Sequence, residues 1–183
     1  MKIEEIKTGD TILVNQDTFL SRTIQKVMKK WGKRQGWPLS PIYSHAGRCV
    51  WIEGKLYVFE SVVNGYNPRL FERHYDLVES DLAIMRRIEP LSEEEMVQTT
   101  HYCLHLDTIS ISYQYWNFIQ WLLLVYLRFD TFHKDSDKFE YCYESEAKAR
   151  KNLNPDHYGY VNQTDIFELI YDPYYEVIYK SKQ

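Results

Sequence analysis

Two apolar runs, Ser44 to Glu53 and Lys55 to Val63, flank Gly54. Side chains alternate faces along a strand, so Ala46, Val50 and Ile52 fall on one side of the first run and Cys49 and Trp51 on the other. Strands that are apolar on both faces belong inside a sheet, between covering layers. In such a setting the carboxylate of Glu60, in the second run, is costly unless it has a partner. His45, at the start of the first run, can supply one. With a two-residue turn, paired positions sum to an odd number, as 45 and 60 do, and the two side chains then share a face on a diagonal or one step further apart. A three-residue turn would put them on opposite faces.

The remaining chain supplies a helical layer. Thr8-Gly9-Asp10 reads as a turn and Thr11–Val14 as a short apolar strand. Phe19, Ile24, Val27 and Met28 recur at helical spacing, which predicts an amphipathic helix over Thr18–Lys30. Lys29–Pro41 (KKWGKRQGWPLSP) reads as a loop by its Gly and Pro, and is the one basic cluster, with Trp31 and Trp37 interleaved. A nucleic acid or an anionic surface could use it; a solvated loop is the plainer reading. Asn64–Arg69 (NGYNPR) reads as a turn, and Leu77–Ile88 fits neither period. Ser92 and Glu95 have the spacing of a capping box after Leu91, predicting a helix that runs to about Leu106. Trp116–Phe129 is apolar nearly all round and reads as an internal helix. Lys134–Lys138 is a polar loop, Tyr141–Leu153 a helix ended by Asn154-Pro155, and Ile166–Tyr179 one more extended segment. The expected class is α+β: an antiparallel sheet or half-barrel packed against helices.

Size and charge narrow the functions. A chain of 183 residues fits one domain spanning 1–183 and needs no disulfide or metal staple. Lys and Arg number 22 against 26 Asp and Glu, a net charge of -4, so no basic field for duplex nucleic acid exists and no nucleic-acid partner is expected. Three cysteines cannot all pair, and no CxxC is present, which points to a reducing compartment. The longest apolar stretch, Phe118–Leu127, is too short to span a bilayer and contains Gln120. Met1-Lys-Ile-Glu-Glu5 has no apolar signal segment, so the expected location is the cytoplasm, with release by lysis as a further route. The 16 Tyr, 8 Phe and 5 Trp fit either an aromatic-lined cleft or a core whose hydroxyls reach water.

Catalysis by sulfur needs a thiolate, an imidazole to take its proton and a polar group to orient the imidazole. Cys142 follows a polar loop at the start of a predicted helix, where free amides and the positive dipole end favour a thiolate and the thiol would be partly exposed. Cys49 and Cys103 sit inside apolar segments, as small inert hydrophobes.

Five segments in order, Gly9-Asp10-Thr-Ile-Leu-Val14, Ser21-Arg-Thr-Ile24, Tyr43-Ser-His-Ala-Gly47, Tyr57-Val-Phe-Glu-Ser61 and Phe139-Glu-Tyr-Cys-Tyr-Glu144, carry a resemblance. The chain resembles the permuted NlpC-type branch of the papain-like superfamily, which includes YiiX-like proteins and relatives of lecithin:retinol acyltransferase. The match covers Gly9 to about Arg150, with the histidine first and the cysteine last. The resemblance implies a permuted papain-like fold, Cys142 as nucleophile, His45 as base and Glu60 as the orienting third member. It also implies a tyrosine near the oxyanion position, with Tyr113, Tyr115 and Tyr141 as candidates. The sequence departs from the family pattern at Tyr143, where a serine is usual, and in the polar run Ser145-Glu-Ala-Lys148, where an apolar continuation is usual. Glu144 keeps the pattern.

No metal or other cofactor is expected. On a helix, His101 and His105 share a face while Cys103 points elsewhere, so at most two ligands converge. Asp135-Ser-Asp137 lacks the later Gly and Glu of a calcium loop. The function implied is a cysteine peptidase or amidase working through a thioester, with cell-wall-type peptides as a substrate class. An acyltransferase or lipid thioesterase on the same fold and a catalytically silent binding module are the alternatives. The expected partner is a peptide or acyl-bearing small substrate; oligomeric state is left open.

Overall fold

The computed structural model describes residues 1–38, 43–62, 65–108, 112, 113, 115–128, 139, 140, 142–153 and 166–181. In chain order the elements are β1 (Thr11–Val14), α1 (Phe19–Gln35), β2 (His45–Ile52), β3 (Lys55–Val62), β4 (Gly65–Leu70), α2 (Phe71–His74), β5 (Leu82–Arg87) and α3 (Glu93–Thr108). There follow β6 (Ser112–Tyr113), α4 (Tyr115–Leu122) with a π-helical turn at Leu123–Leu127, β7 (Phe139–Glu140), α5 (Cys142–Leu153), α6 (Ile166–Ile170) and β8 (Tyr175–Lys180). Six strands form an antiparallel sheet in the order β4-β3-β2-β1-β5-β8, and β6 pairs with β7 in parallel.

The β2–β3 hairpin has the two-residue turn that puts His45 and Glu60 on one face. Ile52 pairs with Lys55 and Arg48 with Phe59, leaving Glu53 and Gly54 as the turn. Both have positive φ, 50° and 73°, as a type I′ turn requires. Both faces of the hairpin are buried. Cys49, Leu56 and Val58 pack with Ile12, Leu82, Ile84 and Phe71 on one face. On the other, Ala46 joins Leu13, Ala83 and Met85 beneath Val27, Trp121, Ala147 and Phe167 from the helical layer. Further along the same face, Val50 and Phe59 meet Cys103 and Leu106 of α3.

Four expectations change. First, Lys29–Gln35 is not loop but the last part of α1, which ends at Gly36 in a left-handed cap. Gly32 sits inside that helix because a Cβ there would fall 2.5 Å from Cζ of Phe167, so only a glycine lets α6 approach. The two tryptophans of this segment are packing residues: Trp31 meets Trp121 edge-on at 5.4 Å and Trp37 stacks on Tyr171 at 5.3 Å. Second, the expected turn at Asn64–Arg69 is mostly β4, paired along its length with β3. β4 is an edge strand, where Pro68 costs no ladder hydrogen bond on its open side. Third, α4 and its π turn are not buried all round: Trp121 and Val125 face the core, while Ile119, Tyr126 and Leu127 are exposed. Fourth, the extended segment at Ile166–Tyr179 begins as α6 and becomes strand only at Tyr175. The ambiguous Leu77–Ile88 contains β5, central in the sheet. Asn154-Pro155 and the polar loop at 134–138 lie outside the described residues.

The polar character of α5 has a structural use. Glu146 accepts from Arg48 Nη2 at 2.7 Å, from Arg150 Nε at 3.0 Å and from the Thr11 hydroxyl. Arg150 continues to Asp172 at 2.9 Å and to the Leu169 carbonyl at 2.9 Å, with its guanidinium 3.8 Å over the Tyr175 ring. Arg48 Nη1 donates to the Gly9 carbonyl at 2.6 Å. Arg48, Glu146 and Arg150 are all at most 2% exposed. Buried charges persist only when paired and hydrogen-bonded, so this network fixes α5 to β1, β2 and the α6–β8 connection in one arrangement.

Candidate active site

His45 is the first residue of β2 and Glu60 lies in the last half of β3, on the same face. The β2–β3 register continued past Arg48 sets Gly47 opposite Glu60, and His45 one diagonal step away. A Cβ on Gly47 would stand 2.7 Å from Val58 Cγ1 and 3.1 Å from Glu60 Cβ, so a glycine at 47 leaves room for the Val58 and Glu60 side chains. His45 Nε2 is hydrogen-bonded to Glu60 Oε2. The Tyr75 hydroxyl donates to the same oxygen at 2.7 Å, and Arg69 Nε stands 3.0 Å from Oε1. Glu60 is fully buried and His45 is 8% exposed.

Burial is the largest influence on the Glu60 carboxyl and pushes its pKa up. The charge and hydrogen bond of His45, the Tyr75 hydroxyl and the charge of Arg69 together hold it below its usual value. Burial also acts most strongly on His45, downward. The charges of Glu60 and of the Cys142 sulfur, with hydrogen bonds to both, override it and raise the imidazole from 6.5 to about 10. Burial, then the charge of Glu60, push the Tyr75 hydroxyl far up, so it stays a donor.

Cys142 opens α5, the helix start expected for it. Its sulfur lies 4.0 Å from the Ser44 carbonyl, close enough to His45 for its charge to act on the imidazole. The thiol is not partly exposed as expected. It is 2% exposed and belongs to the core with Tyr43, Ala46 and Ala147, because the buried ion network draws α5 down onto β2. Tyr143, where the family pattern has a serine, donates to the Tyr43 carbonyl at 2.8 Å and locks the first turn of α5 to the segment before His45. A cleft of about 350 Å³ opens onto Ser44 and His45, walled by Thr18, by Leu20 and Ser21 of α1, by Ser61 and by Arg69.

The structure thus brings His45, Glu60 and Cys142 together. Tyr113 lies in β6 and Tyr115 opens α4, with side chains outside the described residues, as is all of Tyr141. Sequence reasoning missed Tyr75 and Arg69. The signal was the cost of burying Glu60, which a single histidine does not cover; finding the donors required knowing that 65–70 is a strand beside β3. Cys49 and Cys103 are both fully buried, and burial pushes both thiols up, Cys103 to about 11. His101 and His105 are exposed on α3 while Cys103 faces the core, and among the described residues no three His, Cys, Asp or Glu side chains converge as a metal site.

No family model matches the chain, and no curated protein sequence matches it. Among solved structures it is similar to metalloprotein yiiX from Escherichia coli O157:H7, with a TM-score of 0.57 and 19% identity over 95% of this chain and 88% of that one. The fold is yiiX-like. At this identity the likeness is one of fold. The yiiX-like fold is here a mixed α/β one, with the six-stranded antiparallel sheet at its centre. Among the described residues no helix is long and apolar enough to cross a membrane.

Proposed function

We propose that the chain is a cysteine hydrolase of permuted papain-like construction that cleaves an amide or ester through a thioester. The single observation that carries this reading is the burial of Cys142 beside His45, with His45 bonded to Glu60 and Glu60 held in turn by Tyr75 and Arg69. That is the order of roles nucleophile, base and orienting group. His45 takes the proton of Cys142; Glu60 fixes the ring and balances the imidazolium. The sulfur attacks the substrate carbonyl, and the first backbone amides of α5, which have no intrahelical partner, are placed to receive the oxyanion. Imidazolium then protonates the leaving group, and water, activated by the neutral imidazole, releases the acyl group from sulfur. Substrate reaches this chain by the cleft at Ser44 and His45. Cell-wall-type peptides are the first substrate class to test.

The fold neighbour is described as a metalloprotein. The described residues of this chain do not fit a resident ion: both oxygens of Glu60 face cations or hydroxyl donors, and no three ligating side chains converge. The test is incubation with a peptide and ester library, followed by intact-mass detection of the acyl-enzyme. Wild type should accumulate one acyl group on Cys142 and turn over; Cys142→Ala should do neither. Turnover that survives Cys142→Ala would overturn the reading. An acyl-enzyme that passes its acyl group only to added amine or alcohol, never to water, would make the protein an acyltransferase.

A further inference from the structure

Helix α1 carries Arg22, Lys26, Lys29, Lys30, Lys33 and Arg34 and no acidic residue, in a chain whose net charge is -4. At 100° per residue these cations fall on one arc, opposite the buried Ser21, Met28 and Gly32. Arg22 pairs with Asp17 at 2.7 Å. Among the described residues no carboxylate pairs with Lys26, Lys29 or Lys33, all of them exposed. Apolar groups stand in the same face. Phe19, on the cationic arc, is 86% exposed, and beside the other end of the helix Tyr126 is 48% and Leu127 70% exposed. The Lys30 ammonium lies 3.8 Å over the Tyr126 ring, and Arg34 Nη1 donates to the Leu124 carbonyl at 3.3 Å, so the two apolar sites and the lysines form one continuous surface.

We infer that this face docks the protein on an anionic phospholipid surface. Lysines on an exposed helical arc are attracted to negative headgroups, and apolar side chains protruding among them enter the headgroup–acyl boundary. A nucleic acid fits less well. Its bases need aromatic platforms, and the two tryptophans of this segment are spent on Trp121 and Tyr171. The inference stands on the surface alone and does not depend on the chemistry proposed for Cys142.

The test is flotation of the full chain with vesicles of phosphatidylcholine alone or mixed with phosphatidylglycerol. Binding is expected only to the mixed vesicles and should weaken as salt rises. The variant Lys26→Glu/Lys29→Glu/Lys33→Glu should lose roughly 100-fold in partition, about fivefold for each lysine. Its melting temperature should not move. Phe19→Ser and Leu127→Ser should weaken binding without changing its salt dependence. No flotation with anionic vesicles, equal flotation with neutral ones, or unchanged partition of the triple variant would overturn the inference. So would binding of single-stranded RNA that the triple variant loses, in the absence of vesicle binding.

Discussion

At the scale of single residues, the site is a charge arrangement that works only when complete. Glu60 is buried beneath His45, Tyr75 and Arg69, and each of these supplies a donor or a positive charge to it. His45 is raised in the folded protein from 6.5 to about 10, so its contribution to stability is full below pH 6.5 and is lost as pH climbs through 10. Glu60 is lowered from 4.5, so its contribution is full above pH 4.5 and is lost as pH falls through the folded value. The pair therefore contributes most between pH 4.5 and 6.5. Thermal unfolding of wild type and His45→Gln should differ most in that window and converge towards pH 10; parallel curves across the whole range would remove the ion pair from the account. Cys142→Ala makes a second test at this scale. Because the thiol is buried, losing its sulfur leaves a small void and should cost about 1 kcal/mol, measured by urea unfolding, while abolishing turnover. Loss of folding on this change would make Cys142 a structural cysteine.

At the scale of elements, two substitutions separate propensity from packing. Gly32→Ala should raise helix propensity by about 1 kcal/mol, yet its Cβ would lie 2.5 Å from the fully buried Phe167 ring. Overpacking of this kind costs about 1–3 kcal/mol, so the expected sign is destabilising, and Gly32→Ala with Phe167→Leu should recover part of the loss in the same urea assay. Glu146→Gln leaves Arg48 buried without a countercharge and Arg150 with Asp172 alone, and should cost about 3 kcal/mol. It should also depress turnover more than Gly32→Ala, because the network seats the helix that begins with Cys142. These elements also show what could be read in advance. The hairpin, its turn, β1, the capping box of α3 and the start of α5 follow from local signals: alternation, the residues of a two-residue turn, and Ser92 and Glu95 exchanging hydrogen bonds at 3.2 and 2.8 Å. The pairing of His45 with Glu60 was legible because parity alone decides it. The end of α1 and the existence of β4 were not. Gly32 and Pro68 read locally as breakers, and only contact with α6 and the edge position in the sheet make them tolerable. Arg69 and Tyr75 stayed hidden for the same reason, since their reach to Glu60 depends on how β4 and α2 pack.

At the scale of the whole molecule, the sheet separates cores that the cysteines report independently. Cys49 lies among Ile12, Val58, Leu82 and Ile84 on one face. Cys103 lies with Val50, Phe59 and Leu106 on the other. Both are fully buried, and burial raises both thiols above their ordinary value, so neither should react with iodoacetamide near neutral pH while the sheet is intact. If the reading of Cys142 as the nucleophile holds, Cys142 should be alkylated first in the native protein, through the cleft that His45 lines. If the sheet and its two covering layers unfold as one cooperative unit, Cys49 and Cys103 must become reactive together. Pulses of iodoacetamide along a urea series, read by peptide mass, should then give the two cysteines one midpoint, equal to that of far-ultraviolet circular dichroism. Loss of the Cys103 layer at lower urea than the Cys49 layer would show α3 to be a separately melting cover. It would also show that the β2–β3 hairpin, with His45 and Glu60 on it, keeps its stability without the α3 cover.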